Sequence, residues 1–171
     1  MTKLIVGAGL AAALLLTAPS FAQDKADKAS QKFLTEAIEG NLAEVQMGQL
    51  AQRNGGTDQV RSFGQMLEKN HADANQKATA AANQLGMNPP TGPNAKQKSS
   101  YDRMSKLSGA KFDEAFAKDM VADHRKDIRE YEREAKKNDA AGTYAKEALP
   151  TLRKHLETAE SLTGGRTTGR R

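Results

Sequence analysis

The chain of 171 residues contains no cysteine, and this absence excludes two classes of feature. There can be no disulfide framework, and there is no thiol to which a lipid could be attached after a signal peptide. The folded chain must therefore owe its stability to the packing of its side chains.

Aromatic residues and charge of a single sign are also scarce. Phe, Trp and Tyr make up 5% of the sequence, and 26 basic residues are mixed with 21 acidic residues along the chain. A protein that binds nucleic acid concentrates Lys and Arg on one face and supplies aromatic rings for stacking. We therefore expect no nucleic acid among its partners.

The first 22 residues have the pattern of a secretory signal peptide. Lys3 gives a positive start, residues 4–18 are apolar without charge, and Ser20, Phe21 and Ala22 offer a small-x-small cleavage site. The apolar run is shorter than the ~20 residues that span a bilayer, so cleavage after Ala22 is favoured over retention as a membrane anchor. We predict export across a bacterial inner membrane to the periplasm. Association of the exported protein with the outer membrane is compatible with this prediction.

The rest of the sequence is typical of helices. Ala, Leu, Glu, Gln, Lys and Met dominate, β-branched residues are few, and apolar residues recur at helical spacing. These patterns predict four long helices over about residues 29–53, 58–86, 111–137 and 143–162. Pro150 falls inside the last of them and predicts a kink or a restart of the helix there.

The segments between the helices decide the fold class. Residues 54–56 make a short link, whereas the Pro-rich residues 87–94 cannot be helical, and a short extra helix over residues 96–107 follows them. We predict an all-α four-helix bundle of two helical hairpins, with this connection between the second and third long helices. The bundle domain covers residues 23–163, and residues 164–171 form a disordered basic tail.

All three histidines of the chain lie on apolar stripes of different long helices. His71, His124 and His155 each lie roughly 23 Å from the nearest hairpin turn, at ~1.5 Å per helical residue. Because that distance is close to mid-length, the three imidazoles should share one layer in either orientation of the hairpins.

Two glutamates are predicted to face each other about one helical turn from this layer. Glu44 lies on an apolar face of the first helix, and Glu68 forms a Glu-x-x-His pair with His71, as in metal sites of bundle cores. Imidazole and carboxylate ligands suit zinc, iron, copper or manganese. The most specific hypothesis is a transition-metal site made of Glu44, Glu68, His71, His124 and His155.

A structural interpretation stands beside this metal site. Buried histidines in helical bundles are often neutral and hydrogen-bonded to a neighbouring helix. A standard di-iron centre is not expected, because Val121 and Leu152 stand where further Glu-x-x-His pairs would place glutamate. Asn70 and Asp123, which precede two of the histidines, either orient the imidazoles as outer partners or lie on the solvated flank. The flank is favoured, because neighbouring helix positions diverge by about 100°.

Two functions of different classes follow, and neither needs a catalytic site. The sequence has no nucleophile elbow and no glycine-rich loop after a strand, so we favour a non-enzymatic protein. The first hypothesis is a periplasmic bundle that serves envelope maintenance or stress tolerance. The second is a protein that stores, buffers or detoxifies a transition metal, or carries redox chemistry at a mononuclear site. Self-association, an envelope protein partner, a small ligand and weak attraction of the basic tail to a membrane surface stay open.

Several short motifs follow one another in a specific order between residues 33 and 162. They are Ala43-Glu44-Val45, Gly48-Gln49-Leu50-Ala51, Phe63 and Met66 before His71, Gly109-Ala110-Lys111-Phe112-Asp113, Asp123-His124, and Leu149-Pro150 before His155-Leu156. In this order they resemble a family of bacterial exported proteins known as domain of unknown function 4142. The family's first histidine typically follows Asp, whereas this chain has Asn70. The resemblance implies a ferritin-like helical bundle in a periplasmic or outer-membrane setting, and it implies no reaction.

Overall fold

The computed structural model describes residues 27–164, which form five α-helices and no strand. The helices are α1 (Lys28–Asn54), α2 (Asp58–Gln84), α3 (Ala95–Met104), α4 (Gly109–Glu134) and α5 (Ala140–Gly164). The predicted all-α class is confirmed, and a short helix does lie between the second and third long ones. The predicted signal peptide and the predicted tail beyond Gly164 lie outside the described residues. Within the described range, no helix is long and apolar enough to cross a membrane.

Polar side chains and one glycine explain several helix ends. The Asp27 side chain accepts a hydrogen bond from the Ser30 amide at the start of α1. Asn94 and Gln97 exchange hydrogen bonds between side chain and backbone at the start of α3. These caps pair amide groups that the first turn of a helix leaves without a partner. After α2, Gly86 takes a φ of 69°, which suits glycine and ends the helix.

Helix α5 begins earlier than predicted and does not restart. The Asp139 side chain accepts a hydrogen bond from the Gly142 amide at 2.8 Å and so caps the helix. Residues 140–142, which precede the predicted start at about residue 143, are therefore helical. α5 then continues through Pro150, so of the two predicted outcomes, a kink or a restart, the restart does not occur and the kink stays a prediction. Buried side chains on both sides of Pro150 hold the segment in place despite the lost backbone hydrogen bond.

α1 and α2 form a closely packed hairpin because two glycines face each other. A Cβ atom at Gly48 would lie 2.5 Å from the carbonyl oxygen of Gly64, and one at Gly64 would lie 2.6 Å from the carbonyl oxygen of Gly48. Both distances are shorter than a real Cβ contact, so a larger residue at either position would push the helices apart. The short link between α1 and α2 makes the pair antiparallel.

Ring contacts between helices show how the hairpins are oriented. The ring centroids of Phe63 and Phe116 are 5.8 Å apart, and those of His71 and His124 are also 5.8 Å apart, so α2 and α4 run in the same direction. The connection between them must therefore return along the length of the molecule. It does so through the Pro-rich segment and α3, whose one buried residue, Met104, packs in a cluster with residues of α1 and α4.

The core consists of two apolar clusters separated by a polar layer. The first cluster is Phe33, Leu34, Ala37, Ile38, Ala78, Ala81, Ala82, Tyr131, Ala141, Tyr144, Ala145, Leu149 and Leu152. The second is Met47, Leu50, Ala51, Val60, Phe63, Leu67, Met104, Phe112, Phe116, Met120 and Ala159. On each long helix, buried polar residues fall between the members of the two clusters: Asn41, Glu44, His71, His124 and His155. These five side chains form the polar layer.

Candidate metal centre

Three buried imidazoles meet in the polar layer. α2, α4 and α5 contribute His71, His124 and His155, which are 4%, 1% and 0% exposed. The ring centroids are 5.2 Å apart for both pairs that include His155 and 5.8 Å apart for His71 and His124. The common layer predicted from the helical spacing is therefore confirmed.

Hydrogen bonds define the proton positions on two of these rings. The Nδ1–H of His124 donates to the Met120 carbonyl at 3.0 Å, which leaves His124 Nε2 as an acceptor. The Nδ1–H of His155 then donates to His124 Nε2 at 3.2 Å, and the Asn70 amide donates to His155 Nε2 at 2.9 Å. These bonds form one directed chain from Asn70 to Met120.

The third ring keeps a free lone pair. The Nδ1–H of His71 donates to Asn41 Oδ1 at 2.9 Å, and the Asn41 amide donates in turn to the Tyr144 hydroxyl at 2.9 Å. The hydroxyls of Tyr144 and Tyr131 are 3.1 Å apart and extend this network. His71 Nε2 is buried and has no hydrogen-bond partner. Because the other ring nitrogen carries the proton, Nε2 presents an unused lone pair inside the protein.

Burial keeps all three imidazoles neutral near pH 7. It lowers the pKa of His124 to about 4 and the pKa of His155 to about 3, and His124 and Lys154 add to the shift of His155. The pKa of His71 lies well below its ordinary value because of burial and, secondarily, because of the other two histidines. Neutral imidazole is the form that binds a metal ion.

The spacing of the rings is compatible with a shared metal ion. One nitrogen from each ring lies within 4.8 Å of the nitrogens from the other two. Atoms so spaced all lie within about 2.8 Å of a common point, so ring movements of less than about 1 Å would reach a Zn–N distance of about 2.0–2.1 Å. The other nitrogens of His71 and His124 already bond to Asn41 and to the Met120 carbonyl. Outer partners of this kind orient the histidines that hold metals.

Glu44 is buried in the polar layer but is directed toward α4. It is 8% exposed, and its Oε2 has no hydrogen-bond partner. Burial raises its pKa well above the ordinary value, and the charges of Asp123, Asp127 and Asp119 on α4 add to the shift. Among residues 27–164, Glu44 is not a member of the group of ligand atoms that lie within 4.8 Å of one another.

Glu68 lies on a different face of α2 from His71. Its carboxylate accepts hydrogen bonds from Gln49 at 2.8 Å and from Gln52 at 2.6 Å, and these bonds lower its pKa. Residues three apart on a helix are rotated by about 60° around its axis, which is enough to direct Glu68 toward α1. The predicted opposition of Glu44 and Glu68 is therefore wrong. Three of the five predicted ligands come together, and the two glutamates do not join them.

Two asparagines form hydrogen bonds with histidines of the polar layer, and neither contact was the favoured prediction. Asn70 donates to His155, so its interpretation as a residue of the solvated flank is wrong. Asn41 is 3% exposed and joins His71 to Tyr144. A signal for Asn41 existed, because it interrupts an apolar stripe of α1 at the level of the histidines.

Two cavities share His71 as a lining residue. The first, which we call the α3 cavity, has a volume of about 570 Å³ and lies under α3 between α1 and α4. The second, the α2–α5 cavity, has a volume of about 390 Å³ and is lined mainly by residues of α2 and α5. A small ligand therefore has two directions of approach to His71.

Comparison with known proteins yields a family match. A family model described as "Domain of unknown function (DUF4142)" matches residues 16–162, which is most of the chain. No curated protein and no solved structure gives a significant match.

Proposed function

The chain belongs to the family of a domain of unknown function (DUF4142), and we propose that it is a periplasmic protein that binds one transition-metal ion through His71, His124 and His155. We further infer that its four long helices form a ferritin-like four-helix bundle and that residues 1–22 direct its export. The family description names no activity, so the functional proposal rests on the geometry of the polar layer.

The unpaired Nε2 of His71 carries the metal proposal. A buried polar atom without a partner costs about 1–3 kcal/mol, and native proteins rarely keep one. His71 Nε2 is such an atom, and it lies beside two further neutral imidazoles. A bound cation would accept its lone pair and so remove that cost.

The ligand set favours particular ions. Imidazole nitrogen suits zinc, copper and iron, whereas manganese prefers oxygen ligands, and both glutamates lie outside the group. Three protein ligands leave the fourth position of a tetrahedral ion open for water or a small ligand. Zn²⁺ and copper are therefore the ions that we propose first, with buffering or carriage of the ion as the role.

Titration of the purified metal-free protein with Zn²⁺ tests this function. We expect one equivalent to bind, as measured by calorimetry and by elemental analysis after gel filtration. His71→Ala should weaken the binding by at least about 100-fold, because loss of a ligand costs more than loss of an outer partner.

Asn75→Ala is the matched control for this titration. Asn75 lies one helical turn after His71 on α2, and its Oδ1 is likewise buried without a partner. This variant should bind Zn²⁺ as tightly as the wild-type protein does. The function is refuted if wild-type protein binds neither zinc, copper nor iron, or if both variants lose the ion equally.

A purely structural polar layer is the second candidate, and the closed hydrogen bonds of His124 and His155 favour it. Both rings use both of their nitrogens without any ion. In that case the protein serves the envelope as a non-enzymatic scaffold. Its signature would be full stability without metal in the wild-type protein, together with a marked loss of stability in His155→Ala that no added ion changes.

Export and the remaining partners stay predictions. Mass spectrometry of the protein from a periplasmic fraction should find Gln23 as the first residue if cleavage follows Ala22.

Self-association, an envelope protein partner and a small ligand are tested by sedimentation and by isolation of the native complex. Weak membrane association depends on the basic tail, most of which lies outside the described residues, and vesicle flotation of a chain that ends at Gly164 tests it.

A further inference from the structure

We propose that cations reach His71 through the α3 cavity, where acidic side chains from α1 and α4 collect them. This inference rests on the proposed metal function and adds the route by which the ion enters. The α3 cavity leads from the surface beside α3 to His71, which is otherwise almost fully buried. Passage through it would let an ion reach the imidazoles without separation of the four long helices.

The charge of the α3 cavity is opposite to that of the whole chain. The chain has a formal net charge of +5, yet acidic side chains outnumber basic ones by two to one in the cavity lining. The acidic residues are Glu36, Glu44, Asp119, Asp123, Asp127 and Glu130. A cleft lined by one sign of charge concentrates the field and raises the local concentration of the opposite ion.

Glu44 is a buried member of this acidic cluster. It is more than nine-tenths buried, lines the cavity, and has an Oε2 atom without a partner. Burial also raises the pKa of Asp127 to about 7, with Asp123 and Glu130 adding to the shift against the opposing charge of Lys126. Burial therefore disfavours the charged forms of both carboxyl groups, and a cation that enters would favour those forms by pairing with them.

The α2–α5 cavity lacks this charge. Its acidic residues are Asp73 and Glu147, and Lys77 forms an ion pair with Glu147 at 3.3 Å. Asp73 is then the one carboxylate of this lining outside an ion pair. In the α3 cavity Asp127 and Glu130 share Lys126, and Asp119 and Asp123 remain outside ion pairs, so the α3 cavity is the stronger attractor. The two cavities therefore give matched sites for a test, because both lead to His71.

Helix α3 covers its cavity through polar contacts. Asn94, its N-cap, donates to Glu39 at 3.0 Å, and Ser100 donates to Asp119 at 3.2 Å. Only Met104 of this helix is buried. A wall with so little apolar packing opens locally at lower cost than the interfaces of the long helices.

Stopped-flow binding of Co²⁺ at pH 8 and low salt tests the route through the visible absorption of the bound ion. The double variant Asp119→Asn/Asp127→Asn should lower the association rate constant about tenfold and weaken its dependence on salt. The dissociation rate constant should stay unchanged, because neither residue is a proposed ligand. Asp73→Asn, in the α2–α5 cavity, should change the association rate constant by less than about twofold.

Three results would overturn the route. Unchanged association in the Asp119/Asp127 variant would exclude the α3 cavity, and slower association in Asp73→Asn alone would assign the route to the α2–α5 cavity. Both results leave the metal function intact as long as His71→Ala still loses the ion. Absence of Co²⁺, Zn²⁺ and copper binding in wild-type protein would refute the metal function, and the route with it.

Discussion

Two polar clusters both join α1 to α4, but they differ in how deeply they are buried and in how completely their hydrogen bonds are made. The end cluster, which links the start of α1 to the turn between α4 and α5, consists of Asp27, Ser30, Glu134, Lys137 and Asp139. The Ser30 hydroxyl is fully buried and lies 2.6 Å from Glu134 Oε1 and 2.8 Å from Asp139 Oδ2. Lys137 donates to Ser30 at 3.0 Å and forms an ion pair with Glu134 at 3.1 Å. No buried side-chain atom of the end cluster lacks a partner.

The polar layer at mid-length is more deeply buried, because all five of its side chains are buried whereas the Asp27 side chain of the end cluster is 62% exposed. The hydrogen bonds of the polar layer are nevertheless incomplete. His71 Nε2 and Glu44 Oε2 have no partner. Under the metal function proposed above, the two clusters serve different purposes. The fully paired end cluster fixes how the helices meet, whereas the incomplete polar layer keeps atoms available for the ion at some cost in stability.

Removal of the Ser30 hydroxyl should give the largest loss of stability in this comparison. Ser30→Ala leaves the buried Glu134 without one of its donors, and hydrogen bonds to charged groups contribute about 1.5–3 kcal/mol. We expect the free energy of unfolding to fall by about 2 kcal/mol, measured by urea denaturation. Ser62→Ala, an exposed position on α2, is the control and should change it by less than about 0.5 kcal/mol. Equal effects of Ser30→Ala and Ser62→Ala would show that the hydrogen bonds of the end cluster do not stabilise the fold.

The stability of the metal-free protein should fall as the pH drops below about 6.5. An unfolded histidine takes up a proton near pH 6.5, whereas His124 and His155 stay neutral in the folded chain down to about pH 4 and pH 3. The unfolded state therefore binds more protons between these limits, so its relative stability increases as the pH falls. The raised pKa values of Glu44 and Asp127 act in the opposite direction, because the folded chain protonates them first.

Asp127→Asn separates these two contributions to the pH dependence. The variant lacks one of the opposing carboxylates, so its stability should decrease more steeply than that of wild-type protein, by about 1 kcal/mol per pH unit between pH 6 and pH 5. Urea denaturation at several pH values measures both slopes, and Ser62→Ala should reproduce the wild-type slope. Identical slopes for Asp127→Asn and wild-type protein would show that Asp127 titrates normally.

Helical periodicity was sufficient to predict the long helices and the shared level of the histidines. One repeat of about 3.6 residues determines both where a helix can run and which residues face the core. The helical repeat did not predict how the two hairpins are oriented relative to each other. Residues at mid-length meet at one level whichever way a helix points, so His71 and His124 carried no information about direction. Phe63 and Phe116 supply it through their contact in space.

The polar partners of the histidines could not be predicted in the same way. Asn70 and Glu68 both flank the stripe that contains His71, yet Asn70 bonds to His155 while Glu68 bonds to Gln49. Which flank meets which neighbour depends on the packing of α2 between α1 and α5, and this is a tertiary property. A rotation of about 60° around the helix axis decided whether a carboxylate joined the site.

The smallest effect on stability is expected where the polar layer is incomplete. His71→Leu removes the unpaired Nε2 but also leaves Asn41 Oδ1 without its donor, so one unpaired buried atom replaces another. The free energy of unfolding of metal-free protein should therefore change by less than about 1 kcal/mol. Zinc at 100 times its dissociation constant should stabilise wild-type protein by about 2.7 kcal/mol and should not stabilise the variant. A loss above about 3 kcal/mol without metal would show that His71 serves folding in the same way as Ser30, and the contrast between the two clusters would disappear.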